Sequence, residues 1–177
     1  MKSFGFNRLF PLAILAILQS GCSILVGSVN PVDEKQDGQF WTDVSIMDSD
    51  FKNLHEESEN LDSPDAAWQS KTTAAIISIT SACRDADTES DVNEVTESLL
   101  AQWNDSTIES KVPAKVSNHD ALQTSGKGTY LGKVRTFEVI VVKSPTCLYD
   151  VLYLSPPEAK EKHLPTFNRF KASLKLE

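Results

Sequence analysis

The chain has 177 residues, of which 25 are acidic and 17 are basic, so its formal net charge at pH 7 is −8. This balance argues against nucleic-acid binding, which depends on basic surfaces that neutralise phosphates. The length allows one domain of ordinary size with its own core, and no internal repeat indicates a repeat architecture.

The first 21 residues have the pattern of an export signal. Lys2 and Arg8 give a positively charged start, and an uncharged apolar run follows from residue 9 to residue 18. A bilayer-spanning helix needs about 20 apolar residues, so this run is too short to serve as a transmembrane segment. We therefore predict that residues 1–21 are a signal peptide that does not belong to the fold.

The end of this segment resembles the lipobox of bacterial lipoproteins. Ser20 and Gly21 are the small residues that precede the modified cysteine, here Cys22, although Gln19 stands where the family usually has an aliphatic residue. The resemblance implies that Cys22 carries acyl chains such as palmitate, and each buried methylene contributes about 0.8 kcal/mol to membrane anchoring. The alternative is an ordinary secretory signal with Cys22 as a free thiol.

The residue after the modified cysteine indicates the membrane to which a bacterial lipoprotein is sorted. In the lipoprotein pattern an aspartate at this place retains the protein in the inner membrane, whereas this chain has Ser23. The resemblance therefore implies anchoring to the outer membrane, with the protein facing the periplasm.

The next segment is acidic. Loss of Lys2 and Arg8 with the signal would change the formal charge from −8 to −10, and the surplus of acidic residues lies between Asp33 and Asp65. Apart from a short alternating stretch at 40–46, this region lacks sustained periodicity. We interpret residues 22–65 as a solvated tether and expect the ordered domain, residues 66–177, to begin near Trp68.

Alternating and helical patterns follow each other along the rest of the chain. β-branched residues predict a strand within Thr72–Cys83, and helical spacing predicts a helix between Asp91 and Trp103, with Thr88 and Asp91 as a capping box. Four further strands are predicted, and the short connection between the last two implies an antiparallel hairpin. They span Thr107–Val116, Asp120–Tyr130, Val134–Val142 and Cys147–Leu154. Gly126, Gly128 and Gly132 predict bends or turns.

The final segment has a helix-start signature. Ser155 is the expected N-cap, Pro156 the first helical residue and Glu158 the partner in a capping box. Pro165 is expected to interrupt this helix and restart another. The restarted helix carries an apolar stripe of Phe167, Phe170 and Leu174 that is suited to packing on a sheet.

This order of elements predicts an α+β fold, in which helices pack on a mainly antiparallel sheet. The strand ending at Cys83, the acidic helix, the segment Cys147-Leu148-Tyr149-Asp150 and the helix with Phe167 and Phe170 resemble the PsbP-type α/β/α sandwich over residues 66–176. The resemblance extends to small proteobacterial lipoproteins without an assigned activity. It implies a non-enzymatic role in binding or assembling another envelope protein.

Two cysteines remain besides Cys22. Cys83 ends one predicted strand and Cys147 begins another, so if the strands are antiparallel neighbours, the two sulfurs meet, and an oxidising periplasm favours a disulfide. Closure of a loop of about 60 residues would contribute on the order of 4 kcal/mol. The alternative is a pair of buried thiols.

The sequence displays no arrangement typical of catalysis. The three histidines, His55, His119 and His163, lack the spacing of a zinc-binding helix, and His119-Asp120 occurs without a nucleophile elbow. We predict no catalytic residues, no metal site and no cofactor. The second hypothesis is a small-ligand receptor or enzyme with a cleft in the sandwich, for which His119 and Asp150 are the candidate polar groups.

Overall fold

The computed structural model describes residues 46, 48–54, 64–83 and 91–176. The predicted signal peptide, Cys22 and nearly all of the candidate strand at 40–46 lie outside the described residues. Within these ranges, no helix is both long enough and apolar enough to cross a bilayer.

The described residues form seven strands and two α-helices, with a short 3₁₀ helix at Pro157–Ala159. The strands are β1 (Phe51–Asn53), β2 (Ala66–Ser70), β3 (Ile76–Cys83), β4 (Asn104–Val116), β5 (His119–Tyr130), β6 (Lys133–Lys143) and β7 (Cys147–Ser155). The helices are α1 (Val92–Leu100) and α2 (Lys160–Ser173).

All seven strands belong to one antiparallel sheet with the order β1-β2-β3-β7-β6-β5-β4. Strands β4 to β7 are consecutive neighbours, whereas β3 pairs with the last strand, β7. The sheet carries α1 on one face and α2 on the other, because the two helices pack against separate apolar clusters. The predicted α+β class, a mainly antiparallel sheet covered by helices, is confirmed.

The central strand β7 supplies residues to both cores because successive side chains of a strand point to opposite faces. Tyr149, Val151 and Tyr153 are fully buried on the α2 face, where Tyr153 stacks on Phe167 with ring centroids 5.3 Å apart. The alternate residues of β7 lie on the α1 face, where they pack with aromatic and aliphatic side chains from β5, β6 and the segment after α1. The buried residues of this cluster are Trp103, Tyr130, Phe137, Val139, Val141, Leu148, Leu152 and Leu154.

The ordered sheet begins earlier in the chain than the sequence predicts. Phe51, inside the expected tether, is buried and packs edge-on against His163 of α2, with centroids 5.2 Å apart. Residues 48–54 therefore belong to the folded domain. A strand of three residues is too short to show alternation, and β1 is held by its pairing with β2 and by a contact from the other end of the chain.

Both helix starts differ from the expected ones. Asp91 is the N-cap of α1, and Thr88 lies outside the described residues. Ser155 is the last residue of β7, and its Oγ donates a hydrogen bond to the carbonyl of Pro156 instead of capping a helix. Helix α2 also runs through Pro165 without a break, although proline cannot donate the helical hydrogen bond to Glu161. Burial of the Phe167 and Phe170 side chains on the sheet favours the continuous helix.

Two of the three expected glycine turns are absent. Gly126 and Gly128 lie within β5, where the backbone of β4 approaches closely, and a Cβ on Gly126 would lie 2.3 Å from the carbonyl oxygen of Thr107. Gly132, with φ +73°, does lie in a turn, next to Leu131 with φ +48°. The glycines of β5 therefore provide space between strands, and only Gly132 provides a turn.

Candidate functional site

A small pocket lies between α1 and the sheet, where polar and apolar side chains meet. Its volume is about 20 Å³, which is room for one or two water molecules. It is lined by Ser78, Thr80, Leu99, Gln102, Trp103, Val139, Asp150 and Leu152. This is the candidate functional site, and we call it the Asp150 pocket.

The sheet register places the carboxylate of Asp150 at the centre of this face. Asp150 lies opposite Thr80 on β3 and opposite Val141 on β6. The residue as a whole keeps partial exposure, but its Oδ1 atom is buried and accepts no hydrogen bond from any described residue. A buried polar atom ordinarily has a partner, so this oxygen is available to a ligand or a water molecule.

Burial and a second acidic residue change the protonation of this site. Desolvation, followed by the negative charge of Asp65, raises the pKa of Asp150 to about 7. Asp65 precedes β2 and is held in place by Ser81, whose backbone N–H donates to Asp65 Oδ2 at 2.6 Å and whose hydroxyl also donates to that oxygen. Asp150 therefore exchanges its proton near neutral pH, where an ordinary aspartate is ionised.

The residues singled out in the sequence are distributed over several places. Cys83 and Cys147 form a disulfide with Cα atoms 4.1 Å apart, at the ends of β3 and β7. Asp150 points away from the α2 core, as the alternation along β7 predicts. His119 lies outside the Asp150 pocket, and its Nε2 is 3.3 Å from the carbonyl oxygen of Leu176. Cys22 and His55 lie outside the described residues.

A second polar cluster, which the sequence does not reveal, surrounds His163 at the start of α2. His163 Nε2 lies 2.9 Å from Thr73 Oγ1, and Thr73 Oγ1 donates to Ser70 Oγ at 2.9 Å. Ser70 Oγ in turn donates to Asp50 Oδ2 at 2.7 Å. These four residues, which we call the His163 network, join the segment before β1, the β2–β3 turn and α2.

The His163 network contains the residue types of a hydrolase triad in a different arrangement. Ser70 donates to the carboxylate rather than to the imidazole, and the Ser70 and His163 side chains are only 3% and 2% exposed. Burial, followed by the charge of Lys162, lowers the pKa of His163, while Asp50 and Asp48 oppose this shift. The geometry therefore fits a structural role, in which the hydrogen bonds hold these three segments together. Thr73 and His163 are 90 residues apart in sequence, and Asp50 is farther still from His163, so no local motif identifies the network.

Metal ligation has no support from the described residues. Within the described ranges, no three side chains of the His, Cys, Asp or Glu type come together in a way that would hold a metal ion.

Comparison with known proteins establishes the fold only. No family model and no curated protein sequence matches the chain. Among solved structures, LpqN of Mycobacterium tuberculosis, described as involved in cell envelope biogenesis, has a TM-score of 0.60 and 15% identity, covering 83% of this chain and 89% of LpqN. The cyanobacterial PsbP protein CyanoP of Synechocystis sp. PCC 6803 has a TM-score of 0.52 and 8% identity, covering 73% of this chain and 83% of CyanoP. The domain has a PsbP-like fold, as the sequence resemblance implies.

Proposed function

We propose that the protein is a lipid-anchored component of the cell envelope that has a non-enzymatic binding or assembly role. In this proposal acylated Cys22 holds it in the outer membrane, facing the periplasm, and the chain between Cys22 and the folded domain acts as a tether. The observation that carries the proposal is the Cys83–Cys147 disulfide, since structural disulfides persist in oxidising compartments outside the cytosol. The likeness to LpqN, a protein with a role in envelope biogenesis, supports the same location.

The distribution of exposed apolar side chains suggests where a protein partner binds. The large apolar residues that the described part of the chain exposes lie on β4 and at the β5–β6 turn. They are Ile108, Val112, Leu131 and Val134, with 44%, 46%, 67% and 60% exposure. We call these four residues together the β4–β6 surface. A partner that covers them would remove their apolar area from water.

The edge of the sheet favours contact through side chains over addition of another strand. β4 is an edge strand, but it carries Lys111, Pro113 and Lys115, and its register with β5 shifts twice. Charged residues, proline and bulges are the features that prevent edge strands from pairing with other chains. We therefore expect the partner to contact the apolar side chains and not to extend the sheet.

Anchoring is tested by the variant Cys22→Ser, with Ser23→Ala as the matched control. In a Gram-negative host, the wild type and the control should incorporate labelled palmitate and sediment with outer-membrane vesicles, and the Cys22 variant should do neither. If the variant still sediments with membranes, or the wild type takes up no label, the anchoring proposal is wrong.

The binding role is tested by a photoreactive amino acid at Val134, with the exposed α2 position Asn168 as the control. We expect one envelope protein to be crosslinked from position 134 and not from position 168, and Val134→Asp to abolish the capture by a probe placed at Val112. Equal crosslinking from both positions would contradict a role for the β4–β6 surface.

The Asp150 pocket favours the second candidate, a receptor for a small ligand. Its buried acceptor without a described partner is the feature that a ligand would satisfy. This candidate requires no catalytic group and is compatible with the same anchor.

A further inference from the structure

We propose that the Asp150 pocket binds a primary ammonium group, with the Asp150 carboxylate as its counter-ion. The proposal goes beyond the envelope role, does not depend on the lipid anchor, and names the ligand chemistry that the pocket selects. It rests on three features of the described residues: an unsatisfied acceptor, two residues with hydroxyl groups in the same pocket, and the size and polarity of the pocket.

The unsatisfied acceptor, Asp150 Oδ1, favours a ligand that donates hydrogen bonds. Asp150 Oδ1 is buried and accepts no hydrogen bond from the described residues, and Ser78 and Thr80, which both carry a hydroxyl group, line the same pocket. An ammonium group carries three N–H donors and no acceptor, so one donor reaches the carboxylate while the others reach hydroxyl oxygens. A charge-assisted hydrogen bond of this kind is about twice as strong as a neutral one.

The remaining walls suit the alkyl stem of an amine. Leu99, Val139 and Leu152 are apolar, and Trp103 is aromatic. Aliphatic stems of cationic groups pack along apolar surfaces, and indole is the aromatic ring that attracts cations most strongly. The volume of about 20 Å³ is room for the ammonium tip, which is about as large as a water molecule.

The charges that face Asp150 favour a cation. Among the described residues, Asp65 is the charged group that acts on Asp150, and it is negative. The pocket residues supplied by β3, β6, α1 and the segment after α1 are all uncharged. On α1, Glu97 is exposed and pairs with Lys111 of β4 at 3.6 Å. The pocket therefore combines a negative potential with no described cation of its own.

The protonation of Asp150 gives the proposal a quantitative signature. An ammonium ion binds the ionised carboxylate, so binding competes with the proton. With a pKa of about 7 in the free protein, the ionised fraction rises about tenfold between pH 6 and pH 8, and the affinity should rise by the same factor. A neutral ligand that binds the protonated acid would show the opposite trend.

The test titrates the purified protein with n-butylammonium at pH 6 and pH 8 and follows the side-chain carboxyl carbon of Asp150 by NMR. The comparison ligands are n-butanol, which has no charge, and methylguanidinium, whose charge is spread over a planar group with a different arrangement of donors. N-acetyl-lysine amide, which presents the same group as a protein side chain does, distinguishes a partner's lysine from a free amine. Asp150→Asn is the test variant, and Asp120→Asn, at an exposed position of β5, is the matched control.

We expect saturable binding of n-butylammonium that is about tenfold tighter at pH 8, weak or no binding of the comparison ligands, and loss of binding in Asp150→Asn but not in Asp120→Asn. Tighter binding of N-acetyl-lysine amide would assign the site to a protein partner, and weaker binding would assign it to a free amine. Binding that is independent of pH, or that survives in Asp150→Asn, would overturn the proposal. A pKa of Asp150 near 4 without ligand would also overturn it, because the carboxylate would then already be hydrated or paired like an ordinary one.

Discussion

Cys83 stands directly opposite Cys147, and their Cα atoms are 4.1 Å apart across neighbouring antiparallel strands. The bond joins residues that are 64 positions apart in sequence. It therefore closes a loop that contains α1 and strands β4 to β6, at the seam between β3 and the central strand β7.

Loss of this disulfide should lower the free energy of unfolding by about 4 kcal/mol, because the unfolded chain regains the freedom of a loop of 64 residues. Urea unfolding of the double variant Cys83→Ala, Cys147→Ala measures the effect. Dithiothreitol should destabilise the wild type by a similar amount and leave the variant unchanged. If the double variant unfolds at the wild-type urea concentration, the disulfide has no stabilising role.

Asp150→Asn should change the dependence of stability on pH. The folded protein holds the Asp150 proton up to about pH 7, whereas an unfolded chain releases it near 3.8. Between these values the folded state binds more protons, so this group makes the wild type less stable as the pH rises. A shift of about three units corresponds to at most about 4 kcal/mol at pH 8.

The variant should therefore be close to the wild type in stability at pH 4 and more stable than it at pH 8. Urea unfolding at both pH values measures the difference, with Asp120→Asn as the control that keeps the wild-type profile. A difference between variant and wild type that is the same at every pH would show that Asp150 titrates normally.

His163→Gln should remove a stabilising contribution that His163 makes in the wild type at neutral pH and that the wild type itself loses in acid. The pKa of His163 is lowered in the folded protein, so the unfolded chain takes up the proton first as the pH falls below about 6.5. Its contribution is present above that pH and declines below it. The substitution should cost about 1–2 kcal/mol at pH 8, because packing against Phe51 is lost, and less at pH 5.5.

Asp150 titrates over an overlapping range with the opposite sign, so the useful quantity is the difference between His163→Gln and the wild type at each pH. His119→Gln, which removes the histidine beside Leu176, is the matched control. A difference that does not shrink on acidification would contradict the lowered pKa of His163.

Gly126→Ala should destabilise the domain by about 1–3 kcal/mol. The added Cβ would lie 2.3 Å from the carbonyl oxygen of Thr107 and 2.7 Å from the ring of Phe137, and the backbone of β4 must move to admit it. Gly132→Asn is the control, since nothing lies within 4 Å of that position and asparagine tolerates a positive φ. Thermal unfolding measures both variants, and equal melting temperatures would contradict the close approach of β4 and β5.

The sequence predicts the long elements well, because their residues repeat at a regular period. The strands ending at Cys83 and beginning at Cys147 carry enough β-branched and aromatic residues to be recognised without their neighbours. β1 has only Phe51 to indicate burial, and that burial depends on His163. The continuity of α2 through Pro165 also escapes local rules, because packing of Phe167 on the sheet outweighs the loss of one helical hydrogen bond.

The candidate site is predictable in part. Alternation along β7 indicates that Asp150 points away from the α2 core, and this orientation is confirmed. The raised pKa of Asp150 is not predictable from the sequence, because Asp65 is brought near it by the pairing of three strands. The His163 network cannot be predicted from the sequence for the same reason, since only the tertiary fold brings Thr73 and Asp50 close to His163.

The strand order also sets a sequence of folding events. Strands β1 to β3 and strands β4 to β7 each pair with their neighbours in sequence, whereas the pairing of β3 with β7, which joins the two groups, needs the last strand of the sheet. Pairings between distant segments form slowly because the loop between them must first be closed. A chain that emerges from its N-terminus therefore cannot complete the sheet until β7 has been made.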